Sequence, residues 1–334
     1  MLSWPLGPSG MDRRAFIRGG SAAILCAPSL APAQSAKVYR IGVVLPGGPY
    51  YRAVEGLKQG LKDAGLLEQT HYILLVRDEK GELGAAEAAA RSLEHGNVDV
   101  IFALPTSVSV AVKRATDHVP IVFWAGADAV DAGLVDNLAK PGGRLTGVSS
   151  LSTLVTAKRL QLLKEMSPGL RRAVTFYDPA NPIAIRSVAL ARSAAQQLGI
   201  ELVEHLVRSV AELQTALRGI KDERVDAIFI VSDGMVISQA RAIADFGKAN
   251  KVLTMFTERS AVLDGGLASY GANYRDIGRM AADYVYRVLH GTNPGDLPVA
   301  NIDRLEFVVN ARTAREIGLT IPAAVLTRAD DVIE

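Results

Sequence analysis

The chain has 334 residues, of which 49% are hydrophobic and 22% are charged, and its formal net charge is +2. This length predicts two domains of ordinary size, and the high apolar content excludes a disordered chain. Beyond residue 33 there are 34 basic and 34 acidic side chains, because residues 1–33 hold three arginines and one aspartate. A chain with no excess of either charge is not expected to bind nucleic acid or an anionic surface.

The N-terminus has the pattern of an export signal. A charged stretch at residues 12–18 precedes an apolar run at residues 19–30, which ends in small residues around Ala33. This arrangement predicts a signal peptide at residues 1–33, cleaved near Ala33, and the apolar run is too short to span a bilayer. The sequence Arg13-Arg-Ala-Phe16 resembles a twin-arginine signal. We therefore expect the mature protein in the periplasm.

Two further features concern the same N-terminal region. Met1 and Met11 both precede the charged stretch, so either can be the start of the protein. The single cysteine, Cys26, lies inside the predicted signal peptide. The mature chain is therefore expected to have no disulfide bond and no thiol chemistry.

The rest of the chain alternates between apolar runs and amphipathic segments. Strands are predicted at residues 38–45, 72–76, 98–104, 120–124, 145–148, 172–177, 200–206, 225–231, 252–256, 267–270 and 305–310. Helices are predicted at residues 51–64, 83–93, 108–115, 156–166, 183–198, 210–217, 235–249, 277–289 and 311–317. This alternation predicts an α/β fold with doubly wound parallel sheets, whose strands are covered on both faces.

Residues 128–150 lie near the midpoint of the folded chain, and similar strand and helix patterns run on both sides of them. Proline and paired glycines at 141–143 prevent a continuous helix there. We interpret this segment as a hinge crossing between two lobes. Lobe 1 is predicted at residues 34–147, with residues 300–334 able to return to it, and lobe 2 at residues 148–299. Function is then expected in the cleft between the lobes.

In open α/β sheets, ligands bind at the loops that follow the carboxyl ends of strands. Thr106 and Ser107 follow the third strand and begin a helix, so they suit either a ligand carboxylate or a plain helix cap. Asp178, Asp233 and Glu258 follow strands of the second half, where a carboxylate could pair with a ligand ammonium group. Helix capping is the favoured alternative for the two aspartates, which leaves Glu258 as the better candidate for the ammonium.

Aromatic residues are scarce but lie at predicted strand ends, namely Tyr50, Tyr51, Trp124, Tyr177 and Tyr270. They could form the wall of a ligand pocket or simply pack in the core, and the sequence leaves both alternatives open. Trp124 is the only tryptophan beyond the predicted signal peptide.

The sequence has no Walker A, HExxH, CxxC or Gly-x-Ser-x-Gly motif, and its five histidines are scattered without ligand spacing. Gly42 and Gly47-Gly48 do not form a dinucleotide-binding fingerprint. We therefore expect no cofactor, no bound metal and no catalytic residues.

Several segments match those of a known family: Ile41-Gly-Val, Pro120-Ile-Val-Phe, Gly133-Leu-Val, Pro141-Gly-Gly, Thr146-Gly-Val-Ser149, residues 158–165, Asn181-Pro182, Gly265-Gly-Leu, Ser269-Tyr-Gly271, Asp296-Leu-Pro298 and residues 318–322. On these residues the chain resembles the ABC-transporter substrate-binding proteins of the tryptophan/tyrosine type, which have the type I periplasmic binding protein fold. The matches run in order along almost the whole mature chain. Departures are Ala129 and Ala272, since relatives commonly have proline at both places.

The resemblance implies roles for some of these residues. In amino-acid binders of this fold, a hydroxyl after the third strand of lobe 1 holds the ligand carboxylate, which corresponds to Thr106 or Ser107. An acidic residue after the fourth strand of lobe 2 takes the ammonium group, which corresponds to Glu258, and an aromatic residue corresponds to Tyr177. The predicted ligand-binding residues are Tyr50, Thr106, Ser107, Trp124, Asp128, Tyr177, Asn181, Asp233, Glu258 and Tyr270.

The resemblance also implies a function. We expect a monomeric, non-catalytic receptor that closes its two lobes on an amino acid or aromatic carboxylate and then docks to an ABC permease in the inner membrane. One alternative is an exported sensor of the same fold that contacts a signalling partner. A second alternative is a hydrolase, although no acid/base motif supports it. A transcriptional regulator would need an N-terminal helix-turn-helix, where the signal peptide lies instead.

Overall fold

The computed structural model describes residues 37–82, 84–302 and 304–334, so the predicted signal peptide lies outside the described residues. The strands are β1 (Tyr39–Leu45), β2 (Tyr72–Asp78), β3 (Val100–Ala103), β4 (Ile121–Ala125), β5 (Leu145–Ser149), β6 (Arg172–Tyr177), β7 (Glu201–Leu206), β8 (Ala227–Phe229), β9 (Leu253–Phe256), β10 (Ala268–Gly271), β11 (Ala300–Asn301), β12 (Glu306–Asn310) and β13 (Asp331–Ile333).

The helices are α1 (Tyr51–Asp63), α2 (Ala85–His95), α3 (Thr106–Ala115), α4 (Thr156–Met166), α5 (Pro182–Leu198), α6 (Val210–Gly219), α7 (Gly234–Ser238), α8 (Ala240–Asn250), α9 (Arg259–Leu263), α10 (Tyr274–Leu289), α11 (Ala311–Ile317) and α12 (Ala323–Leu326). Within the described part of the chain, no helix is long and apolar enough to cross a membrane.

The first sheet has the strand order β11-β5-β4-β3-β1-β2, and its paired strands are all parallel. Its central strands β1, β3 and β4 are mostly apolar, as expected of parallel strands that are covered on both faces. Ile41 and Phe102 belong to the core on the side of α1 and α10. Ile101 and Phe123 belong to the core on the side of α2 and α3.

The second sheet has the order β13-β12-β10-β9-β8-β6-β7, and β12 runs antiparallel to β10 while the other paired strands are parallel. Helices α4, α5 and α11 bury apolar residues against one face. Helices α6 and α8 bury theirs against the other. The predicted fold class, with two α/β lobes built on parallel sheets, is confirmed.

The chain passes between the two sheets after β5, after β10 and after β11. Helix α10 packs against α1 through Ile277, Ala281 and Val285, so it lies in the first lobe. Lobe 1 therefore comprises residues 37–149 and 274–301, and lobe 2 comprises residues 156–271 and 306–334. The predicted boundaries differ from these because local periodicity identifies a helix without showing which sheet it covers.

The predicted hinge at residues 128–150 lies mostly within lobe 1. Leu134 and Val135 pack in the same core cluster as Leu145. Strand β5 pairs with β4 over its whole length, since Leu145 faces Ile121 and Ser149 faces Ala125. The predicted division at residue 147 therefore runs through β5, and the first crossing is at residues 150–155.

Candidate ligand-binding site

A cavity lies between the lobes, at the carboxyl ends of the strands of both sheets. Its free volume is only about 30 Å³, well below the roughly 300–1,000 Å³ of a typical ligand pocket, so a ligand would enter only if the lobes moved apart. Lobe 1 and the start of α10 provide Tyr50, Pro105, Thr106, Ser107, Trp124, Gly126 and Tyr274. Lobe 2 and the first crossing provide Ser152, Asn181, Ile183, Ser232, Gly234 and Ile237.

Three aromatic side chains form one wall of the cavity. The rings of Tyr50 and Tyr274 stack with centroids 5.4 Å apart, and the Trp124 ring lies edge-on to Tyr274 at 4.4 Å. The Trp124 indole nitrogen donates to the Ser150 hydroxyl at 3.1 Å, which fixes its orientation. Burial raises the pKa of both tyrosines, so their hydroxyls stay protonated. Such a wall can pack against a flat apolar ring of a ligand. The tyrosine hydroxyls of the wall are hydrogen-bond donors at its edge.

The N-terminus of α3 forms a second part of the cavity. The Thr106 hydroxyl oxygen accepts from the backbone N–H groups of Gly126 (2.8 Å) and Ala127 (3.2 Å), which ties the loops after β3 and β4 together. Ser107 lines the cavity beside it, and no side chain of the described residues caps this helix. Uncapped amide groups at a helix N-terminus favour an anionic group nearby.

Asn181 and Asp233 hold the loops of lobe 2 in place. The Asn181 amide nitrogen donates to Asp233 Oδ2 at 3.2 Å, and its amide oxygen accepts from Ile183 N–H at 3.1 Å. Asp233 also accepts from Val236 N–H and Asp178 N–H, each at 3.1 Å, and thereby caps α7. Burial raises the pKa of the Asp233 carboxyl. Asn181 lines the main cavity, whereas Asp233 lines a smaller adjoining one.

Of the predicted ligand residues, Tyr50, Thr106, Ser107, Trp124 and Asn181 line the main cavity together. Three others are engaged elsewhere and do not line it. Asp128 accepts from Val130 N–H and Asp131 N–H, so it stabilises a turn. The Tyr177 hydroxyl donates to Glu204 at 3.1 Å. Tyr270 packs edge-on against Phe307.

Glu258 does not line the main cavity either. It is only 2% exposed and caps α9, where it accepts from Ser260 N–H at 2.7 Å and Ala261 N–H at 2.8 Å. The Ser260 hydroxyl also donates to it at 2.7 Å. Burial raises the pKa of this carboxyl. Both of its oxygens are therefore committed to the helix N-terminus, which is the structural alternative to an ammonium-binding role.

We expect Glu258→Ala to lower the free energy of unfolding by about 1–2 kcal/mol, because the buried amide groups of α9 lose their acceptor. Urea unfolding measures the change. Ser260→Ala is the matched control, since it removes one donor and leaves the backbone bonds, and its effect should be smaller. Unchanged stability in Glu258→Ala, together with weaker binding of an amine-bearing ligand, would favour the ammonium role instead.

The sequence prediction missed Tyr274 and Ser152. Tyr274 lies three residues after the end of β10, at the first position of α10. Ser152 lies in the first crossing, which the prediction placed further upstream. Both follow strand ends, so a wider window after β5 and β10 could have found them.

Two α/β lobes with three crossings and a cavity between them have the architecture of the type I periplasmic binding protein fold. The chain belongs to the ABC transporter substrate binding protein family, whose sequence model matches residues 40–333. The resemblance predicted from the sequence is therefore confirmed.

Several relatives are similar to this chain. A crystal structure of a conserved domain protein from Vibrio cholerae has 31% sequence identity and a TM-score of 0.80, covering 89% of this chain and 100% of that one. A tyrosine-binding protein from Clostridioides difficile is 25% identical over 80% of this chain and 77% of its own length. A Streptococcus pneumoniae domain solved in complex with L-Trp is 24% identical, with a TM-score of 0.76 over 89% of this chain and all of that one.

Proposed function

We propose that this protein is an exported receptor that binds an aromatic amino acid or an aromatic carboxylate in its inter-lobe cavity and delivers it to an ABC permease. The observation that carries the proposal is the pairing of an aromatic wall with an uncapped helix N-terminus in one small cavity of the described structure. The relatives named for tyrosine binding and solved with L-Trp support the same ligand class.

The cavity matches such a ligand in its two chemical halves. The aromatic wall of Tyr50, Trp124 and Tyr274 offers apolar surface on which a ring can stack. The backbone amides at the start of α3, beside Ser107, offer donors for a carboxylate. Because the cavity lies between lobes joined by three crossings, ligand binding would favour lobe closure.

We propose binding without turnover. Two of the buried acidic groups near the cavity, Asp233 and Glu258, each accept hydrogen bonds from backbone amides at a helix N-terminus. A carboxylate held in this way is committed to capping, so neither is free to act as the acid or base of a hydrolase. Formation of product from a bound ligand would contradict this part of the proposal.

The first test is a thermal-shift screen with L-tryptophan, L-tyrosine and indole-3-propionate, using L-leucine as a non-aromatic control. A ligand present at about 100 times its Kd should stabilise the fold by about 2.7 kcal/mol and raise the melting midpoint. L-tyrosine should also change the emission of Trp124, which lines the cavity. If none of the three aromatic compounds shifts the midpoint, the proposed ligand class is wrong.

Transport and sensing need a second experiment. Delivery to a permease predicts ligand-dependent ATP hydrolysis when the receptor is added to its reconstituted transporter. A signalling receptor would instead bind the same ligand without stimulating any transporter ATPase. Cell fractionation tests export, since the predicted signal peptide places the mature chain in the periplasm.

A further inference from the structure

Arg159 is the largest charged side chain that lies wholly inside the described part of the protein. It is 0% exposed, in the first turn of α4. Its guanidinium donates to the Thr156 hydroxyl at 3.0 Å and to the Ser152 hydroxyl at 3.4 Å. Among the described residues, these neutral hydroxyls are its only hydrogen-bond acceptors, and its Nε has no partner. The charge of Arg159 is therefore uncompensated.

An uncompensated buried charge is costly, since removing it from water costs several kcal/mol unless a counter-charge is close. Arginine cannot avoid this cost by losing its proton: burial lowers the pKa of Arg159 only to about 10, so it is charged at neutral pH. An apolar side chain of similar volume would be more stable at this position. A counter-charge from outside the protein would explain why a charged residue lies here.

Arg144 shows how an arginine with a structural role is bound in the same protein. It is half-buried in lobe 1, and its guanidinium donates to the backbone carbonyls of Lys113 (2.8 Å) and Val119 (3.0 Å) and to the Thr116 hydroxyl (3.0 Å). These acceptors hold the loop after α3 against β5. Arg159 makes no comparable contact with backbone carbonyls in the described structure.

The position of Arg159 connects it to the cavity. Ser152, its hydrogen-bond partner, lines the cavity. A Cβ at Gly126 would lie 3.7 Å from Ser152, and the Gly126 amide donates to Thr106 at the start of α3. Ser152 and the α3 N-terminus therefore lie at the same end of the cavity, and the Arg159 guanidinium lies behind the Ser152 hydroxyl without lining the cavity itself.

Further donors extend this polar surface. The Thr156 hydroxyl, which Arg159 contacts, lies 3.1 Å from the Ser187 hydroxyl, and Ser187 accepts from Ser232 N–H. Ser232 lines the cavity, and its buried hydroxyl has no partner among the described residues. Hydroxyl donors and one guanidinium, without a carboxylate among them, suit an anion.

We propose that the ligand carries a carboxylate that lies between Ser152 and the N-terminus of α3, and that Arg159 is its counter-charge. This inference rests on the proposed function and adds the residue that makes the site selective for an acid. One guanidinium balances one negative charge, which favours a carboxylate over a doubly charged phosphate. Without ligand, Arg159 remains uncompensated, so it stabilises the bound state at the expense of the free protein.

The test compares L-tryptophan with L-tryptophanamide, which lacks the carboxylate charge, in the wild type and in Arg159→Met. The wild type should bind L-tryptophan about 100-fold more tightly than the amide, since a buried charge pair is worth several kcal/mol. Arg159→Met should lose this preference by weakening L-tryptophan binding about 100-fold while leaving amide binding nearly unchanged. Arg144→Met is the control: it should be less stable but keep the preference.

Stability of the ligand-free protein gives an independent result. Arg159→Met should raise the melting midpoint, because an apolar side chain replaces an uncompensated charge. A lower midpoint with an intact preference for the acid would overturn the inference, since Arg159 would then be structural. If Arg159→Met does not fold, the inference is also overturned unless Arg159→Lys, which keeps the charge, folds and retains part of the preference.

The same experiments separate this inference from the proposed function. If the wild type binds none of the aromatic probes, the proposed ligand class fails, and the ligand-free stability of Arg159→Met still decides whether Arg159 is uncompensated. If the wild type binds L-tryptophan and its amide equally well, the ligand class stands and the role of Arg159 is rejected.

Discussion

Replacing Gly278 with valine is expected to lower the free energy of unfolding by about 3 kcal/mol, because α1 and α10 pack backbone against backbone at this point. A Cβ at Gly278 would lie 1.9 Å from the carbonyl oxygen of Ala53 and 2.8 Å from the backbone nitrogen of Leu57. Neither atom can move without displacing α1. The two helices would have to separate, which exposes part of the lobe 1 core.

The effect should reach the ligand cavity as well. Tyr274 begins α10 one turn before Gly278, and its ring stacks on Tyr50 at the cavity wall. A displaced α10 would therefore disturb the aromatic wall, so Gly278→Val should also weaken ligand binding. Urea unfolding and a binding titration measure the two effects.

Gly219 offers the matched control for this prediction. It ends α6, a Cβ added there would meet no described atom within 4 Å, and its φ of −68° is helical. Gly219→Ala should therefore leave stability unchanged or raise it by up to about 1 kcal/mol. If Gly278→Val were as stable as Gly219→Ala, the result would contradict the close packing of α1 against α10.

Much of the fold could be predicted from the sequence because its signals are local. The apolar run at residues 38–45 becomes β1 (Tyr39–Leu45), and the periodic segment at residues 277–289 lies within α10. What could not be predicted is which lobe each late element joins. The apolar stripe of α10 would fit either sheet, and only contact with α1 places it in lobe 1. Such long-range packing leaves no local pattern.

The candidate site was predictable only in part, for a related reason. A side chain after a strand can face the cleft, as Trp124 does, or turn back to cap the next helix, as Glu258 does. The choice depends on loop geometry that residue type does not determine. The burial of Arg159 could have been predicted from the sequence. Arg159 lies four residues before Leu163 and seven before Met166, which places it on the buried face of α4.

Glu79→Gln is expected to stabilise the protein by about 3 kcal/mol at pH 7, because this carboxyl is buried without a partner. Glu79 is 5% exposed, and neither of its oxygens has a hydrogen-bond partner among the described residues. It lines a small inter-lobe cavity together with Asp178 and Asp233 of lobe 2, and the described lining of that cavity includes no basic residue. Burial, with a smaller contribution from Asp78, raises the pKa of Glu79 from 4.5 to about 8.

The sign of the pH dependence follows from this shift. A carboxyl whose pKa is raised on folding binds its proton more tightly in the folded state, so the wild type should lose stability as pH rises from about 4.5 to about 8. The glutamine side chain of the variant Glu79→Gln has no proton to lose in this pH range. The free energy of unfolding of this variant should therefore not show this part of the decrease with pH. The difference between the two proteins should therefore be small at pH 5 and largest near pH 8, as measured by urea unfolding at several pH values.

Glu82→Gln is the matched control, since Glu82 lies one turn further along and is exposed. It should follow the wild-type pH profile, and an identical profile in Glu79→Gln would contradict the buried, unpartnered state of Glu79.

Glu79 also links pH to lobe closure. Glu79 belongs to lobe 1 while Asp178 and Asp233 belong to lobe 2, so opening the cleft would hydrate Glu79 and return its pKa toward 4.5. Closure then takes up a proton, and ligand affinity should fall as pH rises toward 8 in the wild type but not in Glu79→Gln.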